Sequence, residues 1–212
     1  MGPSLLSNGP SHAPAALVLA HGAGASESSP FMEAIAEGLS SRGWLVHRFA
    51  FPYMRRIQET GRRCPPDRPQ VLQQCFRDLV EQVADDRPVF IGGKSMGGRI
   101  ASMLLNELSA TAAVRGGICF GYPFHPLGKP LQVRKDHLEQ LKVPLLVLQG
   151  ERDPMGSQDQ VAGYGLNPPL QLRWIPDGDH SFKPRKRSGR TEQMNWTLAV
   201  DLADQFMGDV LA

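Results

Sequence analysis

Apolar positions follow two rhythms along this chain. Short apolar-rich runs, continuous at 15–20 and 89–91 and interrupted by polar, Gly or Pro positions elsewhere, occupy residues 15–20, 44–51, 89–91, 114–120, 143–148 and 170–175. A continuous run of that length predicts a strand covered on both faces. Between the runs, apolar residues recur every three or four positions: Met32, Ile35, Ala36 and Leu39; Leu72, Phe76, Leu79 and Val83; Met96, Ile100, Met103, Leu104 and Leu108; Met194, Leu198, Leu202, Phe206 and Val210. That spacing predicts amphipathic helices. Ser29 and Pro30 suit the N-cap and first turn of the first helix, and Gly43 suits its stop. Shorter helices are predicted over 136–141 and 158–164. Residues 53–69 carry Arg55, Arg56, Arg62, Arg63 and Pro65-Pro66 without periodicity, and Pro52 ends the strand before them, so this segment reads as a long loop. Strand and helix alternate about six times. Helical crossovers between buried strands imply an α/β protein: a three-layer α/β/α sandwich around a mostly parallel sheet of about six strands.

Composition narrows the possibilities. A chain of 212 residues suits one domain, here residues 15–212, and no repeat or linker divides it. Residues 1–14, rich in Ser, Gly and Pro, lack a basic start and an apolar stretch, so they read as a flexible tail and not a secretory signal. No run approaches the ~20 apolar residues of a membrane span. A formal net charge of +2 calls for neither nucleic acid nor membrane. Lys183, Arg185, Lys186, Arg187 and Arg190 form a basic run with no RNA-binding motif beside it, expected to be a solvated loop. Cys64, Cys75 and Cys119 show no metal-ligand spacing, and their odd number argues against a disulfide framework. The expected setting is reducing and cytoplasmic.

Chemistry concentrates where the run at 89–91 ends. Gly92 and Gly93 break the strand, and the helical spacing starts at Met96, so Ser95 lies on a tight strand-to-helix turn. Gly93-Lys94-Ser95-Met96-Gly97 is a G-x-S-x-G pattern. A side chain on so sharp a turn crowds its neighbours two positions away, where glycine fits best. The hydroxyl gains exposure, and the helix start leaves backbone N–H groups facing any developing negative charge.

Two more polar residues fall at later strand ends, Asp153 and His180. In an open parallel sheet, ligands bind outside the carboxyl ends of the strands. A neutral Ser hydroxyl needs an imidazole to take its proton, and a carboxylate to hold that imidazole's tautomer. Ser95, Asp153 and His180 are therefore the candidate nucleophile, orienting acid and general base. Glu151, Asp177 and Asp179 are nearby alternatives for the acid. Asp179 directly adjoins His180, which makes a bond to its ring awkward.

The stretches His21-Gly22-Ala23-Gly24, Gly93-Lys94-Ser95-Met96-Gly97-Gly98-Arg99, Gly150-Glu151-Arg152-Asp153 and Gly178-Asp179-His180-Ser181-Phe182 together resemble the α/β-hydrolase fold superfamily. The wording around Ser95 is similar to a small bacterial branch distantly akin to dienelactone hydrolases, and to the hydrolase-like domain of a subunit of a eukaryotic histone-acetylating complex. The resemblance implies an oxyanion hole made by the backbone N–H groups of Met96 and Ala23. His21 is expected to brace that loop. Dienelactone hydrolases carry Cys where this chain has Ser95, so their substrate is not carried over. No antiparallel strand is expected ahead of Ala15 and no long helical insertion before Asp153, which implies a minimal, lidless fold. Lys94, Tyr122, Phe124 and His125 are expected to line the substrate pocket. The expected activity is cleavage of a small-molecule ester or thioester through an acyl-serine, with no metal or organic cofactor. The alternative is a silent hydrolase-fold scaffold for protein partners. The oligomeric state is left open.

Overall fold

In the computed structural model, which describes residues 5–212, the apolar runs become strands, and those at 16–20, 89–94 and 145–150 have both faces covered. Strand β2 (Ala16–Ala20) shows why: Leu17 and Leu19 join one buried cluster, while Val18 and Ala20 join the other. The same split recurs in β4 (Val89–Lys94), where Phe90 faces one layer and Val89 and Ile91 the opposite one. The remaining strands are β1 (Leu5–Asn8), β3 (Leu45–Phe49), β5 (Val114–Phe120), β6 (Leu145–Gly150) and β7 (Leu170–Ile175). They form one seven-stranded sheet in the order β1-β3-β2-β4-β5-β6-β7. Every pairing is parallel except β1 with β3.

Helices α1 (Pro30–Ser40) and α6 (Glu192–Leu211) pack together on one face. On the other face lie α2 (Pro52–Thr60), α3 (Pro69–Val83) and α4 (Met96–Thr111). A short α5 (Gln158–Val161) follows β6. The chain leaves β2 toward β3 and returns to β4 on the other side of β2. The carboxyl ends of β2 and β4 therefore flank the point where strand order reverses, the usual place for a ligand crevice.

Several expectations need correction. Residues 1–4 of the expected tail lie outside the described residues, but Leu5–Asn8 is an edge strand. It pairs antiparallel with β3 in the register Leu5 to Phe49 through Asn8 to Val46. The sheet thus has seven strands, one of them ahead of Ala15. A four-residue strand exposed along one side carries little apolar signal, and its partner becomes adjacent only on folding. Pro52 opens α2 as well as ending the strand region, and part of the expected loop is helical. Only Tyr53 and Met54 of α2 are buried, so no apolar stripe reveals it. The 136–141 prediction shrinks to a 3-10 turn at Leu138–Gln140, and the 158–164 one divides into α5 and a 3-10 turn at Ala162–Tyr164. On α6 the buried line is Asn195, Ala199, Val200, Ala203, Phe206 and Met207, rotated from the expected one, and Met194 is exposed. Alanines carry that face because α1 lies close against it. The β5–β6 connection holds only the Leu138–Gln140 turn, in keeping with a minimal fold. Among the described residues no helix is long and apolar enough to cross a membrane.

Candidate active site

Ser95 occupies the turn between β4 and α4 with φ 52° and ψ −114°. A non-glycine residue in that region is strained, and the neighbouring backbone must hold it there. Its N–H donates to the Phe120 carbonyl at 3.0 Å and its carbonyl accepts from Arg99 N–H at 3.0 Å. The flanking glycines are sterically required. A Cβ on Gly93 would lie 2.5 Å from the Ala20 oxygen, and one on Gly97 would lie 2.5 Å from the Ala20 oxygen and 2.6 Å from that of His21. The turn folds directly onto the end of β2.

Asp153 follows β6 in a turn closed by its own N–H to the Gly150 carbonyl at 3.0 Å. The carboxylate is fully buried and fully satisfied. Oδ1 accepts from Met155 N–H at 2.8 Å; Oδ2 accepts from the Gln149 amide at 2.9 Å and from His180 Nδ1 at 2.7 Å. His180 Nε2 lies 2.8 Å from Ser95 Oγ. A carboxylate only accepts, so Nδ1 bears the proton and Nε2 has its lone pair aimed at the Ser95 hydroxyl. The three side chains form one unbroken line, although 85 residues separate Ser95 from His180.

The loop after β7 is pinned around His180. Asp179 Oδ1 accepts from the N–H groups of Ser181 and Lys183 at 2.8 and 3.0 Å. Asp177 accepts from Arg185, which holds its carboxyl down to about 2. Glu151 accepts from Asp177 N–H at 2.7 Å. The three alternative acids are thus engaged with the backbone or with arginine, and none of them touches the imidazole.

His21 follows β2. It is buried, and burial lowers its pKa. Its Nε2 accepts from Phe51 N–H at 3.1 Å and its Nδ1 donates to the Gly22 carbonyl at 2.7 Å. The Tyr53 hydroxyl lies 3.2 Å from the carbonyls of both Gly22 and Ala23. With these carbonyls tied back, the Ala23 N–H remains free, and so does that of Met96 at the start of α4: among the described residues neither has an acceptor.

Ser95, His180, Ala23 and Lys94 line a cavity of about 650 Å³, walled on its apolar side by Phe31, Met32, Met155 and Trp196. Lys94 is 8% exposed, and burial pushes its amine down to about 8. Tyr122, Phe124 and His125 do not line this cavity, contrary to expectation. Each is buried elsewhere: Tyr122 and Phe124 pack ring to ring at 4.8 Å, and His125 donates its N–H to the Met155 carbonyl at 3.2 Å. Aromatic residues after a strand end are as well suited to filling the space beneath a loop as to walling a pocket.

Beyond His21, sequence reasoning missed the bracing residues. Gln149 is fully buried; besides Asp153, its amide group meets Tyr122 N–H at 2.7 Å and the Gly156 carbonyl at 3.1 Å. A lone amide in the otherwise apolar run at 145–150 was the available signal. Asn195, buried in α6, donates to the carbonyls of Pro176 and Phe182 and steadies the His180 loop from below. Tyr53 lies in α2, where no apolar periodicity marks it.

A mostly parallel sheet with a serine on a strained strand-to-helix turn, and an acid and a histidine at later strand ends, defines an α/β-hydrolase. The family comparison agrees: the Alpha/beta hydrolase domain family matches residues 13–208, and the chain belongs to it. Its fold is similar to that of dienelactone hydrolase from Anabaena variabilis, with 22% identity over 97% of this chain and 91% of that one and a TM-score of 0.72. An alpha-beta serine hydrolase homologue from Coxiella burnetii aligns over 93% of this chain and 90% of its own at 16% identity, with a TM-score of 0.69. Est1E from Butyrivibrio proteoclasticus, solved with ferulic acid bound, aligns over 99% and 95% of the two chains at 14% identity, with a TM-score of 0.70.

Proposed function

We propose that this protein is a serine hydrolase that cleaves a small carboxylic ester or thioester through an acyl-Ser95 intermediate. The observation that carries this reading is the continuous hydrogen-bonded line Ser95–His180–Asp153 opening on a cavity. His180 Nε2 takes the Ser95 proton as Oγ attacks the substrate carbonyl, and Asp153 stabilises the imidazolium that forms. The carbonyl oxygen becomes an oxyanion, received by the N–H groups of Ala23 and Met96; losing one such donor costs ~3 kcal/mol of barrier. The tetrahedral intermediate collapses, and the leaving alkoxide or thiolate takes the proton from His180. Water then enters, gives its proton to Nε2, and attacks the acyl-serine by the same route in reverse.

The apolar wall of Phe31, Met32, Met155 and Trp196 suits a compact acyl group, aromatic ones included. The ferulic acid bound by the similarly folded Est1E lends that choice weight. A fluorophosphonate probe should label Ser95 in the wild-type chain. Ser95→Ala should lose both labelling and turnover of p-nitrophenyl acetate while its circular dichroism stays unchanged. Turnover that survives in Ser95→Ala would reject the mechanism.

A further inference from the structure

Lys94 is the last residue of β4, directly before Ser95, and its side chain is turned inward. Its Nζ donates to the backbone carbonyl of His180 at 2.5 Å, across 86 residues of chain. No other described group donates to that carbonyl. The rest of the loop has its own anchors: Asp179 holds the N–H groups of Ser181 and Lys183, and Asn195 holds the Phe182 carbonyl. The peptide of His180 itself is fixed by Lys94.

Two further observations show that the fold is shaped around this contact. Gly121, at the end of β5, has φ +67°, and a Cβ there would lie 2.6 Å from the His180 oxygen and 2.9 Å from Lys94 Nζ. The backbone at 121 thus leaves room for both partners at once. On its other side the ammonium sits 5.6 Å from the centre of the Phe31 ring, a favourable place for a cation. No carboxylate among the described residues forms an ion pair with it. Burying a cation without an ion pair is costly, and the hydrogen bond to the His180 carbonyl and the face of the Phe31 ring are the contacts that offset it.

We propose that Lys94 is a positioning residue that ties the His180 loop to the nucleophile turn, so that imidazole and hydroxyl cannot drift apart. This rests on the serine-hydrolase reading above. His180 is held twice from the same turn: Ser95 meets its ring Nε2, and Lys94 meets its main-chain oxygen. A Lys94 that contacted substrate instead would act on binding, whereas a positioning residue acts on the chemical step after binding.

Lys94→Met, made in the full chain, separates the two. With the uncharged substrate p-nitrophenyl acetate, kcat should fall about 100-fold while KM stays within about twofold, the scale expected when a reacting group is displaced by roughly an ångström. The low-field NMR signal of the His180 Nδ1 proton, sharp in the wild type, should broaden or vanish in the variant. An unchanged kcat would overturn the proposal. So would a rise in KM with the His180 signal intact, which would make Lys94 a substrate contact. A wild-type protein that neither labels with fluorophosphonate nor turns over ester would sink the hydrolase reading, and the NMR comparison would still decide whether Lys94 positions His180.

Discussion

Replacing Lys94 with Met should make the protein more stable at neutral pH even as it damages the site. Burial moves the amine from 10.5 down to about 8, so its charged form is roughly 3 kcal/mol harder to hold in the native state than in the unfolded chain. The carboxylates of Asp153 and Asp179 favour the charge, but desolvation outweighs them. His180, and Glu192 from the start of α6, also face the cavity that Lys94 lines. Met fills a similar volume without a charge. It leaves the His180 carbonyl without its charged donor, a loss of about 1.5–3 kcal/mol. The net gain is about 1 kcal/mol, or roughly 2–4 °C in melting temperature for a domain of this size. The sign with pH follows from the lowered native value. Below about 8 the native state holds the proton and bears the full cost. Between about 8 and 10.5 the unfolded chain keeps a proton that the native state has released, so wild-type stability rises with pH. The advantage of Lys94→Met should therefore be largest at pH 7 and close above pH 10.5. Urea unfolding of both proteins at several pH values measures it. A variant less stable than wild type at pH 7, or an offset that does not change with pH, would refute the reasoning.

Other expected outcomes follow from the bracing contacts. Gln149→Leu strands the Tyr122 N–H and removes a donor from Asp153, so it should cost about 1–3 kcal/mol in urea unfolding and lower ester turnover; no change in either would mean that the amide is idle. Tyr53→Phe frees the loop of Gly22 and Ala23 and should slow fluorophosphonate labelling of Ser95 about fivefold, from a loss of ~1 kcal/mol, whereas an unchanged rate would leave His21 as sufficient support. Asp177, held down to about 2 by Arg185, contributes stability that is complete above its ordinary 3.8 and is lost as pH falls toward 2. Asp177→Asn should therefore melt below wild type at pH 5, with the gap narrowing by pH 3; a constant gap would count against the ion pair.

Legibility in the sequence followed burial. Strands covered on both faces, such as 89–91 and 145–148, are visible as apolar runs because every residue in them must leave water. Edge strand β1 and helix α2 were missed because each buries so little. The α6 stripe was read one position out of phase because its large residues were counted, while Ala199 and Ala203 line the face that packs closest. Ser95, Asp153 and His180 could be picked out because nucleophile turns and strand-end loops carry local marks of glycine and proline. Gln149, Asn195 and Tyr53 carry no such marks: their roles depend on which backbone groups come to lie beside them.

By itself, then, the amino-acid order determined the layered α/β architecture, the strained turn at Ser95 and the residue types available at its strand ends, because backbone sterics and apolar periodicity act over a few neighbouring residues. Only the folded chain decided that Asp153 and not Glu151 or Asp177 faces the imidazole, that Tyr122, Phe124 and His125 support a loop instead of walling the cavity, and that Lys94 reaches the His180 carbonyl. Those outcomes turn on distances between segments far apart in the chain, which only the packing of the strand-end loops sets.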